Sequence, residues 1–322
     1  MSLLYSLLKP IVRKVVKGSS LHREESYEEF KQASYDVQKT FQFKLPSIRG
    51  YEFRDEQLED FHIIVGKKAG SEPDRAFLPE TIGSVLMVIG LIAPAVISTL
   101  MVVLSGSDVL KRDLRNKLVG FYKVKWLNVL ISILLFALIV VLSILLSTVF
   151  GQSLNQFFFT EDFSFTGVGV GGALLTILLA SIIEEVGWKG CCEDSIGNYM
   201  NWFWESMIFG ALWSLWHLPL IFIKGTYQAG LMVNPLFVVN FFISGIPLGF
   251  IITWVYLASD RSILACMVFH LFVNFMQEKI AMTPETKCVE TIVVTVAAAI
   301  IVIVYREMFF EKTHIGKVPS AE

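Results

Sequence analysis

The chain has 322 residues, of which 54% are hydrophobic and 17% charged, with a net charge of −2 and a mean hydropathy of +0.60. A soluble domain carries about a quarter charged residues, so the composition points to the membrane. A near-neutral charge without a basic, aromatic-interleaved tract excludes a nucleic-acid partner. Its four cysteines form neither a disulfide ladder nor a CxxC knuckle, and read as small packing residues.

Residues 1–79 are polar and charged, as in HREESYEEFKQASYDVQK (22–39). The opening MSLLYSLLKPIVRKVV is too short to span and has no small-residue cleavage site. It reads as an amphipathic, membrane-surface stretch. Residues 1–78 also resemble the leader of bacterial α/β-hydrolase esterases, cut off before any nucleophile, which implies no esterase activity.

Seven apolar helical spans follow, at 81–104, 126–149, 166–183, 204–223, 235–257, 262–280 and 289–305. The expected fold is therefore all-α: a polytopic membrane helix bundle of about seven transmembrane helices behind a short polar N-terminal segment. The transmembrane unit covers 80–310, and a cytoplasmic tail covers 311–322. Pro94, Pro219 and Pro247 fall inside spans, where neighbouring helices can satisfy the freed backbone groups. Gly167, Gly169, Gly171 and Gly172 would allow close helix approach at the start of the third span.

The loop 105–125 carries Lys111, Arg112, Arg115, Lys117, Lys123 and Lys125, which places it in the cytoplasm. The loop 150–165 has only acids and falls outside, and the 184–203 connection returns to the cytoplasm. The same count leaves the polar N-terminus outside, in conflict with the missing signal peptide.

Polar residues within spanning helices are costly: a central Asp or Lys costs about 2.5–3.5 kcal/mol on insertion scales. Here they fall in SIIEEVGWKG (Glu184, Glu185), ALWSLWHLPL (His217) and CMVFHLFVNF (His270, Asn274). His270 and Asn274, four apart, share a helix face. The adjacent glutamates point about 100° apart and so play different roles. Glu185 and Lys189, also four apart, suit a local ion pair. A glutamate pair at a helix end is most often a solvated terminus, and a lone membrane histidine is most often bonded to a neighbouring helix. Three such features on three spans of one apolar chain point to a shared hydrolytic site. A buried carboxylate can take a proton from water, and His and Asn side chains can hold an oxyanion.

EEVGWK, WSLWH and HLFVN, in this order on hydrophobic segments, resemble the signature of the CPBP family, the CAAX protease and bacteriocin-processing (Abi) intramembrane proteases. The resemblance covers about residues 85–280. It implies an intramembrane endopeptidase with Glu184 as the base that activates water, His217 beside it, and His270 with Asn274 holding the oxyanion. Glu185 would orient the site or handle the leaving amine. Two His and a Glu are competent zinc ligands, so a divalent metal stays open as a cofactor. The absence of HExxH, and ligands drawn from three helices, favour a metal-free route. Lys189 replaces the family's usual Arg and loses the planar fork, and Trp213 stands where Phe is commonest.

The implied substrate is a peptide or lipidated peptide cleaved near the cytoplasmic face, the other partners are membrane lipids, and the implied location is a bacterial plasma membrane. The alternative is a non-enzymatic membrane scaffold or bacteriocin self-immunity protein of the same fold. The two readings separate on whether the five polar residues meet in one cavity.

Overall fold

The computed structural model describes residues 80–119, 124–159, 170–223 and 226–311. The expectations for residues 1–79, for Gly167 and Gly169, and for the tail beyond residue 311 lie outside the described residues, as do the side-chain surroundings of Gly171 and Gly172.

Helices account for most of the described residues. They are α1 (Glu80–Leu104), α2 (Asp108–Val119), α3 (Trp126–Ser147), α4 (Val170–Gly187), α5 (Glu193–Gly197), α6 (Trp202–Trp216), α7 (Tyr227–Gly230), α8 (Pro235–Ala258), α9 (Ile263–Lys279), α10 (Pro284–Val304) and α11 (Arg306–Phe310). Among the described residues no β-strand forms, and one isolated bridge pairs Phe159 with Ile280. A π-helical turn, Trp188–Cys192, joins α4 to α5 directly after the two glutamates. Such turns interrupt regular helices, frequently at functional sites.

Helix starts follow from capping side chains. Asn201, Asn234, Ser262 and Thr283 each accept a first-turn backbone N–H, from Trp204, Leu236, Ala265 and Thr286. Pro235 and Pro284 sit in the first helical turns, where their missing N–H is harmless. The expected span 204–223 is shorter in the structure: α6 stops at Trp216, and Leu218–Phe222 forms a 3₁₀ turn. Pro219 explains the change, because it cannot donate a helical hydrogen bond.

The surface is inverted relative to a soluble protein. Leu134, Ile97, Val141 and Ile303 point outward from long helices, whereas Ser132, Ser143, Ser181, Glu184, Glu185, Lys189, Glu193 and Glu205 are buried. Large exposed apolar faces mark lipid contact. Among the described residues, four helices are long and apolar enough to cross a membrane, over Val85–Leu104, Trp126–Phe150, Pro235–Ala258 and Pro284–Val304. The chain is thus an integral membrane helix bundle. The three other long helices, α4, α6 and α9, carry the polar residues; the count of seven crossings rests on the sequence alone.

The helices approach most closely at small residues. A Cβ on Gly210 would lie 2.8 Å from the Gly245 carbonyl oxygen and from Ile246 Cα, and one on Gly249 would lie 2.8 Å from Gly210 Cα. α6 and α8 therefore meet backbone to backbone. A Cβ on Gly187 would likewise strike Pro94, which fixes α4 against α1. Gly210→Leu is expected to destabilise the bundle by about 3 kcal/mol or more, as overpacking against backbone. Thermal unfolding in detergent checks this, with Gly230→Leu, which has open space around it, as the tolerated control.

One end of the bundle is tied by an ion network. Arg261 donates to both Asp113 oxygens, at 3.0 and 2.8 Å, and also to Asp194. Lys117 pairs with Asp113 at 3.1 Å and with Asp194. Its ammonium also serves the Lys189 and Gly190 carbonyls of the π turn, at 3.2 and 3.3 Å. Tyr256 donates to Asp194 at 3.1 Å. Burial by itself would raise the Asp194 carboxyl, but Lys117 and Arg261 outweigh it and hold the group down at about 2. The stability this adds is present above the ordinary carboxylate range and is lost only as pH falls toward 2.

Candidate active site

The helix carrying Glu184 and Glu185 packs against α9, which carries His270 and Asn274, while α6 supplies Trp213 and His217. The glutamates diverge, as adjacent helical residues must. Glu185 turns to α9, where His270 Nδ1 donates to its Oε1 at 2.8 Å. Both side chains are almost fully buried. The second oxygen of Glu185 is buried without a hydrogen-bond partner among the described residues. Glu184 turns to α6, where Trp213 Nε1 donates to its Oε2 at 2.9 Å.

His217, at the C-cap of α6, has its Nδ1 2.8 Å from the Trp213 carbonyl oxygen. A carbonyl only accepts, so Nδ1 carries the proton and Nε2 of the neutral ring is left as an acceptor. The ring lies edge-on to Trp216, with centroids 4.8 Å apart. Trp213 also meets the His270 ring edge-on at 5.2 Å. One indole thus touches both histidines and one glutamate. Asn274 donates to Ser181 Oγ at 3.4 Å, one turn ahead of Glu185 on α4.

The ion pair expected between Glu185 and Lys189 is not formed. Glu185 serves His270, and Lys189 pairs with Glu193 at 2.7 Å, both side chains being fully buried. The physical reason is the π turn, which carries Lys189 toward α5 and α6. There its ammonium sits 3.8 Å from the centroid of the Phe209 ring. Thr253 donates to Glu193 Oε1 at 2.7 Å, and the buried Glu205 lies beside them, 3.5 Å from the Thr253 hydroxyl. This inner cluster was not singled out in the sequence. Its signal was the second i,i+4 pair, Lys189 and Glu193, on the same stretch.

A cavity of about 200 Å³ lies against the site, lined by Trp213, His217, Asn274, Phe241, Gln277 and Lys287 among others. Of the five expected residues, His217 and Asn274 line it. Glu184 stands one hydrogen bond behind the Trp213 wall, and the Glu185–His270 pair between α4 and α9 does not line the cavity. Glu184, Glu185, His217 and His270 are joined through Trp213 and the Glu185–His270 hydrogen bond, Asn274 instead reaches Ser181, and only two of the five line this cavity.

The cavity and the basic loop occupy opposite halves of the bundle. Lys125 reaches Asp260 at 3.4 Å, so the ends of α2, α5 and α8 and the start of α3 gather with Arg261. Tyr227, Gln277, Pro284 and Lys287 line the cavity toward the other end, where Gln156 accepts from the Thr283 N–H. Loop charges that place the basic end in the cytoplasm therefore do not place the cavity mouth there. The expectation of cleavage near the cytoplasmic face does not follow from them.

Among the described residues, no three His, Cys, Asp or Glu side chains converge to hold a metal ion. Both Nδ1 atoms and one Glu184 oxygen are engaged with protein groups.

The model of the family described as Type II CAAX prenyl endopeptidase Rce1-like matches residues 166–276, a stretch that contains all five expected site residues. A protein described as CAAX prenyl protease 2, from Methanococcus maripaludis, is 40% identical over 228 residues, covering 70% of this chain and 84% of that protein. The chain belongs to the Rce1-like CAAX endopeptidase family. It is accordingly an intramembrane endopeptidase of the CAAX type, as the EEVGWK, WSLWH and HLFVN segments led one to expect. The relative is archaeal, so the family does not carry the bacterial plasma membrane with it. Within the CAAX endopeptidase fold the structure gives the motif's lysine a definite place: Lys189 meets one carboxylate oxygen and one aromatic face. Both contacts suit a point charge and neither needs a guanidinium fork.

Proposed function

We propose that this chain hydrolyses a peptide bond of a prenylated, membrane-held peptide, with water activated by Glu184. The observation that carries the reading is the division of labour between the adjacent glutamates: one is turned toward the cavity wall, the other is committed to His270. Glu184 takes a proton from water as the water attacks the scissile carbonyl, and returns it to the departing amine. Trp213 holds one Glu184 oxygen and leaves the other for the water. His217, with Nδ1 committed to a carbonyl, presents Nε2 as the acceptor that orients that water.

Charge then develops on the carbonyl oxygen. His270, held through Nδ1 by the Glu185 carboxylate, can carry a second proton on Nε2 and donate it as a hydrogen bond to that oxygen. The Asn274 amide, on the same helical face and lining the cavity, supplies the other donor. Water is consumed, the peptide C–N bond breaks, and the products are a carboxylic acid and an amine. A prenylated peptide suits a site among lipid-facing helices, because an isoprenoid chain keeps its substrate at the depth of the site. The relative's name, a CAAX prenyl protease, supports the same substrate class.

The test uses purified protein in proteoliposomes and a peptide panel that differs only in the lipid. Farnesylated and geranylgeranylated peptides are expected to be cleaved, and the unmodified peptide at least about 10-fold more slowly, since an isoprenoid buries many CH₂-sized groups. Activity that survives exhaustive chelation supports the glutamate-only route; activity lost to chelator and restored by zinc overturns it.

A further inference from the structure

The short helix between the first two long spans carries a charged face that the hydrolytic chemistry does not use. Six of the twelve residues of α2 (Asp108–Val119) are charged, so the helix does not enter the hydrocarbon core. Helical periodicity sorts its residues onto two sides. Leu114 and Lys117 are buried, and Leu110 and Leu118 pack beside Leu114 against Val102 and Ile263. Lys111, Arg112 and Arg115 lie on the opposite side and are exposed. The inner side is anchored, because Lys117 pairs with Asp113 at 3.1 Å and donates to the Lys189 and Gly190 carbonyls of the π turn. The outer side chains are therefore presented from a fixed helix.

The acids near this face are already engaged. Asp113 and Asp194 serve Lys117 and Arg261, Asp260 serves Lys125, and Asp108 serves Lys111 at 3.2 Å. Among the described residues, no ion pair forms to Arg112 or Arg115, so the outer face keeps a positive surplus. The neighbours of α2 indicate what meets that surplus. Val103 and Leu104 at the end of α1, and Trp126 and Leu127 at the start of α3, are exposed apolar side chains of membrane-crossing helices. α2 joins those two ends along the chain and lies where hydrocarbon gives way to headgroups, the usual level of an exposed tryptophan. A guanidinium pairs with phosphate through two parallel hydrogen bonds. We propose that the outer face of α2 binds the headgroup phosphates of anionic phospholipids, with Arg112 and Arg115 as the pairing groups and Lys111 beside them. This surface is separate from the hydrolytic site and does not depend on its reading. Each cation held near an anionic lipid surface strengthens binding about 5-fold.

The test titrates fluorescent phosphatidylglycerol and fluorescent phosphatidylcholine into the full-length protein in neutral detergent micelles. The proteins compared are wild type, the double variant Arg112→Gln with Arg115→Gln, and the double variant Arg112→Lys with Arg115→Lys. Wild type is expected to bind phosphatidylglycerol about 10-fold more tightly than phosphatidylcholine at low salt, from two unpaired cations. The preference should shrink as salt rises, since the groups are exposed. The glutamine variant should lose it by weakening phosphatidylglycerol alone, and the lysine variant should keep most of it. Thermal unfolding in neutral micelles should be the same for all three, because both side chains point away from the packed side. Equal binding of the two lipids by wild type overturns the proposal without reference to any variant. So does a preference that persists in the glutamine variant, which would put the anionic lipid elsewhere on the bundle. Displacement of phosphatidylglycerol by inorganic phosphate, but not by chloride at the same ionic strength, would make this a site for free phosphate and overturn it as well.

Discussion

Glu185→Gln is expected to lower kcat by about 10³-fold while KM stays near its wild-type value. The carboxylate accepts the His270 Nδ1 proton at 2.8 Å inside the bundle, and an amide in its place can present an N–H to the ring and favour the wrong tautomer. Loss of the acid that orients a catalytic histidine costs about 10⁴-fold in the serine-protease triad. Loss of one oxyanion donor costs about 10²–10³-fold, and Glu185→Gln combines parts of both. His270→Ala should fall in the same range. The double variant should be no worse than His270→Ala alone, because groups that act as one unit are not additive. Initial-rate kinetics on all four proteins check this. Losses that multiply would separate Glu185 from His270 and assign it to the leaving amine.

Lys189→Met carries the second large effect, on stability. Lys189 and Glu193 are fully buried and 2.7 Å apart, with Thr253 and Glu205 beside them. Removing one member of a buried ion pair leaves the other charge uncompensated, which destabilises by about 3–5 kcal/mol. Here the stranded charge is Glu193, next to a second buried carboxyl, so the upper half of that range is expected. Lys189→Met with Glu193→Gln removes both charges and should recover most of the loss. Thermal unfolding of the two singles and the double completes the cycle. If Lys189→Met alone is as stable as wild type, the pair does not hold the π turn in place.

The long apolar helices were legible in the sequence because lipid demands uninterrupted runs: α1, α3 and α8 begin and end within about two residues of where the hydropathy placed them. α10 starts at Pro284, earlier than the apolar run, because Thr283 caps it and the first turns are polar. The turn of His270 and Asn274 toward the same neighbour, α4, was legible too, since their spacing of four puts both on one face of α9. Partner choice was not. Glu185 had two candidates, Lys189 four residues on and a histidine 85 residues away, and spacing favours the near one. Only the π turn after Gly187 removes Lys189 from reach, and π turns have no period to read. Trp213 read as a milder replacement for Phe, yet its indole N–H is the group that holds Glu184. Phe could pack in that place but could not donate. The Asp113–Lys117–Asp194–Arg261 network was equally hidden, being assembled from α2, α5 and the turn after α8, which lie far apart in the chain.

The most direct measurement compares wild type with Glu184→Gln in proteoliposomes on one farnesylated peptide, following product by mass spectrometry. Glutamine keeps the size of the side chain and an oxygen for Trp213, and removes only the base. Wild-type cleavage with a loss of at least about 10³-fold in Glu184→Gln, at unchanged peptide affinity and thermal stability, is the result expected of a glutamate that activates water. Cleavage by Glu184→Gln at the wild-type rate would contradict that role and return the catalytic base to another group.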